Sequence, residues 1–322
     1  MASTTNLSTY KFNLEYYKFL GLNEIQKLDF PEAKFSLYFL AYNGPDSLSG
    51  KNGFTDRNAV LELTHNWGTE SDPNYSVVNG NTEPYRGFGH IAISVDNIEA
   101  ACKRIEDAGY PFQKKLQDGR MKHIAFAKDP DGYWVEIIRR HDEDVGTTTD
   151  VSTYRLNHTM LRVKSAETSL KFYQEVLGMK LLRTSENPDA KFNLYFLGYP
   201  SSNPPVREGA KNPVSEWEGL LELTWNYGTE KEEGPVYHNG NDQPQGFGHI
   251  LLKPLANTLV SHHLGVSVDD LDAACARFES LNVNWKKRLT DGRMKNVAFV
   301  LDPDNYWVEI IQNQKYTGVQ EF

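Results

Sequence analysis

Two glutamates and a histidine occur in the same order twice along this chain of 322 residues. Glu62 lies in LELTHNWGTE, His90 in GFGHI and Glu136 in YWVEII; Glu222, His249 and Glu309 follow in LELTWNYGTE, GFGHI and YWVEII. Strand alternation puts Glu62 and Thr64 on one face, with Leu61 and Leu63 on the other. It likewise groups His90 with Ala92 and Ser94, and Glu136 with Trp134 and Ile138. A carboxylate among aliphatic and aromatic strand residues is costly unless it is paired or bound to a metal. Carboxylates and imidazoles without a thiolate suit a borderline divalent ion such as Zn²⁺, Ni²⁺ or Co²⁺. A lone strand glutamate is more often an edge or surface residue, and a lone histidine after Gly-Phe-Gly is more often structural. The GTE and DPDGYW turns say little alone, and Trp134 and Trp307 could be core. What favours an ion site is that all three groups survive in both copies while the loops between them have diverged.

The repeat covers most of the chain, as AKFSLYFLAY at Ala33–Tyr42 and AKFNLYFLGY at Ala190–Tyr199 show. Amphipathic helices are expected at 13–22 and 169–179, each closed by a left-handed glycine, Gly21 or Gly178. Three strand-like runs follow, and GFGHIAISV opens a further unit with the helix Asn97–Ala108 and strands near Pro111–Lys115, HIAFAKD and YWVEIIR. The fold class is α+β, four βαβββ units in two tandem domains. Residues 1–141 form the first domain, 142–153 the linker, and 154–316 the second, with an insertion at 251–264 directly after His249. The second domain opens on Leu156–Val163, with His158, Met160 and Arg162 on one face. The first domain lacks an equivalent: matching Tyr17 to Tyr173 sets Ala2 opposite His158 and Asn6 opposite Arg162, so that strand is missing or replaced.

The formal charge of −9 argues against nucleic acid or an anionic membrane as partner. No signal peptide or spanning segment is expected. The two cysteines, Cys102 and Cys275, take equivalent places on the apolar side of a helix and read as reduced core residues of a cytoplasmic protein.

On NHTMLRVK, FYQEVLGMKLLR, AKFSLYFL, LELTHNWGTE, RGFGHI, DGRMK and DPDGYWVEI, the sequence resembles the glyoxalase I (lactoylglutathione lyase) family, in the two-domain fungal form of the vicinal-oxygen-chelate superfamily. The resemblance implies that each metal site takes two ligands from the first unit of one domain and two from the second unit of the other. One complete site would be His158, Glu222, His90 and Glu136, with zinc favoured and glutathione as co-substrate. Arg162, Asn226, Arg86, Lys114 and Arg120 would hold the glutathione carboxylates. Glu136, assisted by Glu222, would move a proton from C1 to C2 of the methylglyoxal hemithioacetal, through an enediolate, to give S-D-lactoylglutathione.

The other implied site has Glu62, His249 and Glu309, with Glu309 as its base and Asn66, Lys287 and Arg293 toward substrate. Here the sequence departs from the pattern. Ala2 stands where the fourth ligand belongs, Asn6 replaces the arginine, and Gln245 is the counterpart of Arg86. His263, inside the insertion, is an alternative to His249. The expectation is one working and one impaired site on a monomer. Other readings are an impaired paralogue, or an iron dioxygenase, an epimerase or a ligand-binding member of the same fold.

Overall fold

The computed structural model describes residues 9–119, 121–144, 146–250, 266–292 and 295–313. Helix α1 (Thr9–Phe19) leads into strands β1 (Asn23–Phe30), β2 (Phe35–Ala41) and β3 (Leu61–Asn66), which pair antiparallel in the order β1-β2-β3. The chain leaves α1 through Gly21 at φ +94°, the left-handed turn expected of a glycine there. The helix therefore starts and stops earlier than the 13–22 of the periodicity.

Strand β4 (Phe88–Val95), helix α2 (Ile98–Asp107) and strands β5 (Phe112–Lys114), β6 (Ile124–Lys128) and β7 (Trp134–Arg139) complete the first half. The second half repeats them: β8 (Arg155–Val163), α3 (Ala166–Lys171), β9 (Lys180–Asn187), β10 (Phe192–Gly198) and β11 (Leu220–Asn226). Helix α3 continues as one π-helical turn, Phe172–Val176. Then come β12 (His249–Ile250), β13 (Val266–Val268), α4 (Leu271–Ser280), β14 (Trp285–Lys287), β15 (Val297–Leu301) and β16 (Trp307–Gln312). Asn97 caps α2 by accepting from the Ala100 amide, and Asp270 caps α4 by accepting from Ala273.

The halves do not form separate sheets. One eight-stranded sheet runs β5-β6-β7-β4-β8-β11-β10-β9, so β4 of the first half pairs antiparallel with β8 of the second. The remaining strands form two sheets: β1-β2-β3, and one ordered β12-β16-β15-β14 with β13 also on β16. Among the described residues no strand joins β3 to β12. The reading of an altered first strand falls on residues 1–8, which lie outside the described residues, as does the insertion with His263. Strands β12 and β13 continue each other along β16: His249 pairs with Trp307, Ile250 with Val308 and Val266 with Ile310.

The largest core cluster joins both halves, with Tyr16, Leu20, Ile93, Ile137, Leu161, Tyr173, Leu221 and Val308 all fully enclosed. Cys102 is buried in it and Cys275 only half-buried; both are free thiols, pushed up by burial to about 12 and about 11. Two equivalent turns set the ends of β7 and β16. Asp129 accepts from the Asp131 and Tyr133 amides and from the Tyr17 hydroxyl at 3.0 Å. Asp302 accepts from Asp304, Tyr306 and the Tyr173 hydroxyl, the last at 2.8 Å. Each tyrosine thus ties an opening helix to the turn that aims Glu136 or Glu309.

Candidate metal centre

The four middle strands of the long sheet, β7-β4-β8-β11, each contribute one polar group: Glu136, His90, His158 and Glu222. Register explains why these groups meet. Ala92 stands across from both Glu136 and His158, while Met160 stands across from both His90 and Glu222. All therefore project from one face of neighbouring pleats. Phe126 pairs with Glu136 and Phe196 with Glu222, an apolar wall on either flank.

The ligand-type atoms of this cluster lie within 4.8 Å of one another, and all four residues are buried. His158 Nε2 is 3.1 Å from Glu222, 3.2 Å from Glu136 and 3.2 Å from His90 Nε2; His90 is 3.4 Å from Glu136. Burial by itself would raise the Glu136 carboxyl, yet the charge and hydrogen bonds of His90 and His158 outweigh it and hold Glu136 well below the usual range. Burial would lower His158, but the two carboxylates raise it to about 9. Asn157 Oδ1 lies 2.8 Å from His158 Nδ1, and the Asn157 amide is anchored on the Val214 and Trp217 carbonyls. With Nδ1 donating to that oxygen, Nε2 is aimed at the cluster, where it would offer its lone pair to an ion in place of a proton. Two imidazoles and two carboxylates aimed at one point, one ring oriented from behind, fit a divalent ion. Sequence reasoning missed Asn157; its signal was a polar residue directly before the histidine of NHTMLRV.

A second cluster joins Glu62 on β3, His249 on β12 and Glu309 on β16. His249 Nε2 is 3.3 Å from Glu309 and 3.7 Å from Glu62. Phe39 pairs with Glu62 and Phe299 with Glu309, repeating the flanks of the first cluster. His249 pairs with Trp307 as His90 pairs with Trp134, so it holds the corresponding position. The His249 side chain is 20% exposed against 3% for His158. Burial raises Glu62 to about 7, with His249 opposing; the carboxylates raise His249 to about 9 against its own burial. A cavity of about 450 Å³ opens beside Glu62 and His249, and neither Arg86 nor Arg162 lines it.

The expected substrate contacts are more dispersed. The buried Arg162 guanidinium donates to the Gly80, Gly87 and Phe88 carbonyls and to Asn81 Oδ1, which binds the halves together. Arg86 pairs with Glu83 at the surface, and its charge reaches Arg162. Lys114 donates to the Met121 and Ile124 carbonyls, and Lys287 to that of Val297. Asn226 donates to the Tyr237 hydroxyl, and Asn66 lines the cavity. Arg120 and Arg293 lie outside the described residues.

The family model "Glyoxalase/Bleomycin resistance protein/Dioxygenase superfamily" matches residues 13–137 and 155–310. A lactoylglutathione lyase of Schizosaccharomyces pombe is 47% identical, covering 98% of this chain and 100% of its own length. Glyoxalase I of Saccharomyces cerevisiae is 45% identical, over 94% of this chain and 87% of its own. The crystal structure of glyoxalase I from Zea mays superposes with a TM-score of 0.65 at 25% identity, covering 97% of this chain and 91% of that one.

Proposed function

Because the chain belongs to the Glyoxalase/Bleomycin resistance protein/Dioxygenase superfamily, we infer that its fused halves work as one enzyme with domains at 1–141 and 154–316. Its activity is that of lactoylglutathione lyase, the glutathione-dependent detoxification of methylglyoxal. The carrying observation is the enclosed set of His90, Glu136, His158 and Glu222 on four adjacent strands.

These four residues would hold a divalent ion, zinc by ligand type, which when bound would polarise the substrate oxygens. Glu136 is the base that accepts the C1 proton of the hemithioacetal, an enclosed carboxylate with an oxygen at the point where the four side chains converge. Glu222 stands on the far side of His158 and assists return of a proton to C2. Hydrogen only migrates, so no redox cofactor is required. Phe126 and Phe196 exclude water from the two carboxylates. Arg86 and Lys114 supply positive charge for the glutathione carboxylates, with Asn226 as a polar contact; Arg162 serves the same end through the backbone it braces. Since one chain carries every ligand, we expect a monomer, acting in the cytoplasm. The Glu62, His249 and Glu309 cluster is the impaired centre, with one ligand fewer among the described residues and more solvent.

Metal-replete protein mixed with methylglyoxal and glutathione should produce the thioester absorbance of lactoylglutathione. No absorbance change under those conditions would remove this reading.

A further inference from the structure

The cavity beside the second cluster is lined by consecutive residues, Val60 through Asn66, and by consecutive residues Gly246 to His249. A hollow over one face of a sheet would touch alternate residues only. Consecutive lining means that the gap lies in the plane of the sheet, along the edges of β3 and β12. In the other half the same two edges, those of β11 and β4, are both paired to β8. The glycines report the same contrast. A Cβ on Gly89 would sit 2.5 Å from Met160 Sδ on β8, whereas one on the equivalent Gly248 meets nothing within 4 Å among the described residues. The hollow therefore has the position and outline of one strand, with Asn13, Leu14 and Tyr17 of α1 at its rim.

We propose that this slot is a strand acceptor for the chain's own residues 2–7, entering parallel to β3 and antiparallel to β12. These residues lie outside the described part of the structure. Length and register carry the assignment. Tyr17 and Tyr173 hold equivalent turns, and β8 ends at Val163 just before α3 begins at Ala166. Counting back from the two tyrosines, Leu7 takes the place of Val163, Thr5 of Leu161 and Thr4 of Met160. Glu62 then faces Thr4 as Glu222 faces Met160. Thr4 and Thr5 are β-branched and suited to a pleated strand, and Leu7 falls in the place of the enclosed Val163. Ala2 arrives where His158 stands in the other half, so the strand closes the wall of the second cluster without adding a ligand.

Amide hydrogen exchange on the full chain tests the docking directly. Those amides of Leu61–Asn66 that point away from β2 should be protected, and both deletion of residues 2–7 and Leu7→Asp should speed their exchange at least roughly tenfold. Leu7→Asp keeps the test usable if the deletion fails to fold. Equal exchange in all three proteins overturns the proposal. Protection that survives deletion but falls on dilution would assign the edge to a second copy and overturns it too. A cobalt(II) titration tests the register, and this arm rests on the metal reading above. Ala2→His should add a second tight equivalent and Ser3→His should not; the opposite pattern overturns the register. Should cobalt(II) bind nowhere in any variant, the metal reading fails and hydrogen exchange alone decides the strand.

Discussion

The two clusters carry the same glutamates flanked by equivalent phenylalanines, yet one is sealed and the other stands beside a hollow. In the first, β7-β4-β8-β11 run without interruption, so every pleat buries its neighbour and His158 is 3% exposed. In the second, one described strand fewer separates β3 from β12, and His249 reaches 20% exposure. The side chains that could hold an ion are nearly the same, so the difference lies in the sheet. Among the described residues the second cluster has no counterpart of the ligand His158 on β8 or of Asn157, which orients its ring. His158 has Asn157 behind it; no corresponding contact reaches His249 among the described residues.

The sharpest break in this comparison is catalytic. Glu136→Gln should lower kcat by roughly 10² or more, the scale of a lost general base, whereas Glu309→Gln should leave turnover of methylglyoxal and glutathione nearly unchanged. The reverse result would mean that the working centre is the open one. Metal titration comes next: one tight equivalent per chain is expected, with the second weaker by roughly tenfold or more, and Asn157→Ala should weaken only the first by roughly 10–100-fold. Two tight and equivalent sites would erase the distinction.

The smallest effects concern what the halves share. Tyr17→Phe and Tyr173→Phe should each cost about 1 kcal/mol in denaturant unfolding, because both turns lose the same hydrogen bond. Burial raises Asp302 to about 7 from 3.8, so between those values the native state holds a proton that the unfolded chain has released. Stability should therefore fall as pH rises from about 4 to 7. Burial raises Asp129 to about 7 as well, so Asp302→Asn should make that dependence shallower and leave the remainder to the equivalent turn; an unchanged slope would show that Asp302 has no share in it.

Much of this was legible in the residues. The repeated LELT and YWVEII segments place each glutamate on a strand, and Gly21 and Gly178 mark helix ends where the backbone turns left-handed. Alternation on Leu156–Val163 separates His158 and Arg162 from the enclosed Leu161 and Val163, because period two is a local property. Pairing across the sheet is not local. Which unit would adjoin which came from a family pattern, and the Ala92 and Met160 crossings that gather the four ligands are readable only in the folded register. Asn157 was missed for a similar reason: its value depends on a ring rotamer and on carbonyls near Trp217, far along the chain. Helix limits shifted by a few residues because α1 takes up residues ahead of its apolar stripe. Arg162, expected from the resemblance to hold a glutathione carboxylate, spends its donors on four acceptors from the other half.

The β4–β8 seam has a kinetic corollary. Its partners belong to different halves joined by the chain between β7 and β8, so closing the seam is an intramolecular event governed by tether length rather than by protein concentration. A chain cut within that tether and then diluted would trade this local abundance for bulk encounter. Its activity would acquire a second-order dependence that the continuous polypeptide does not have.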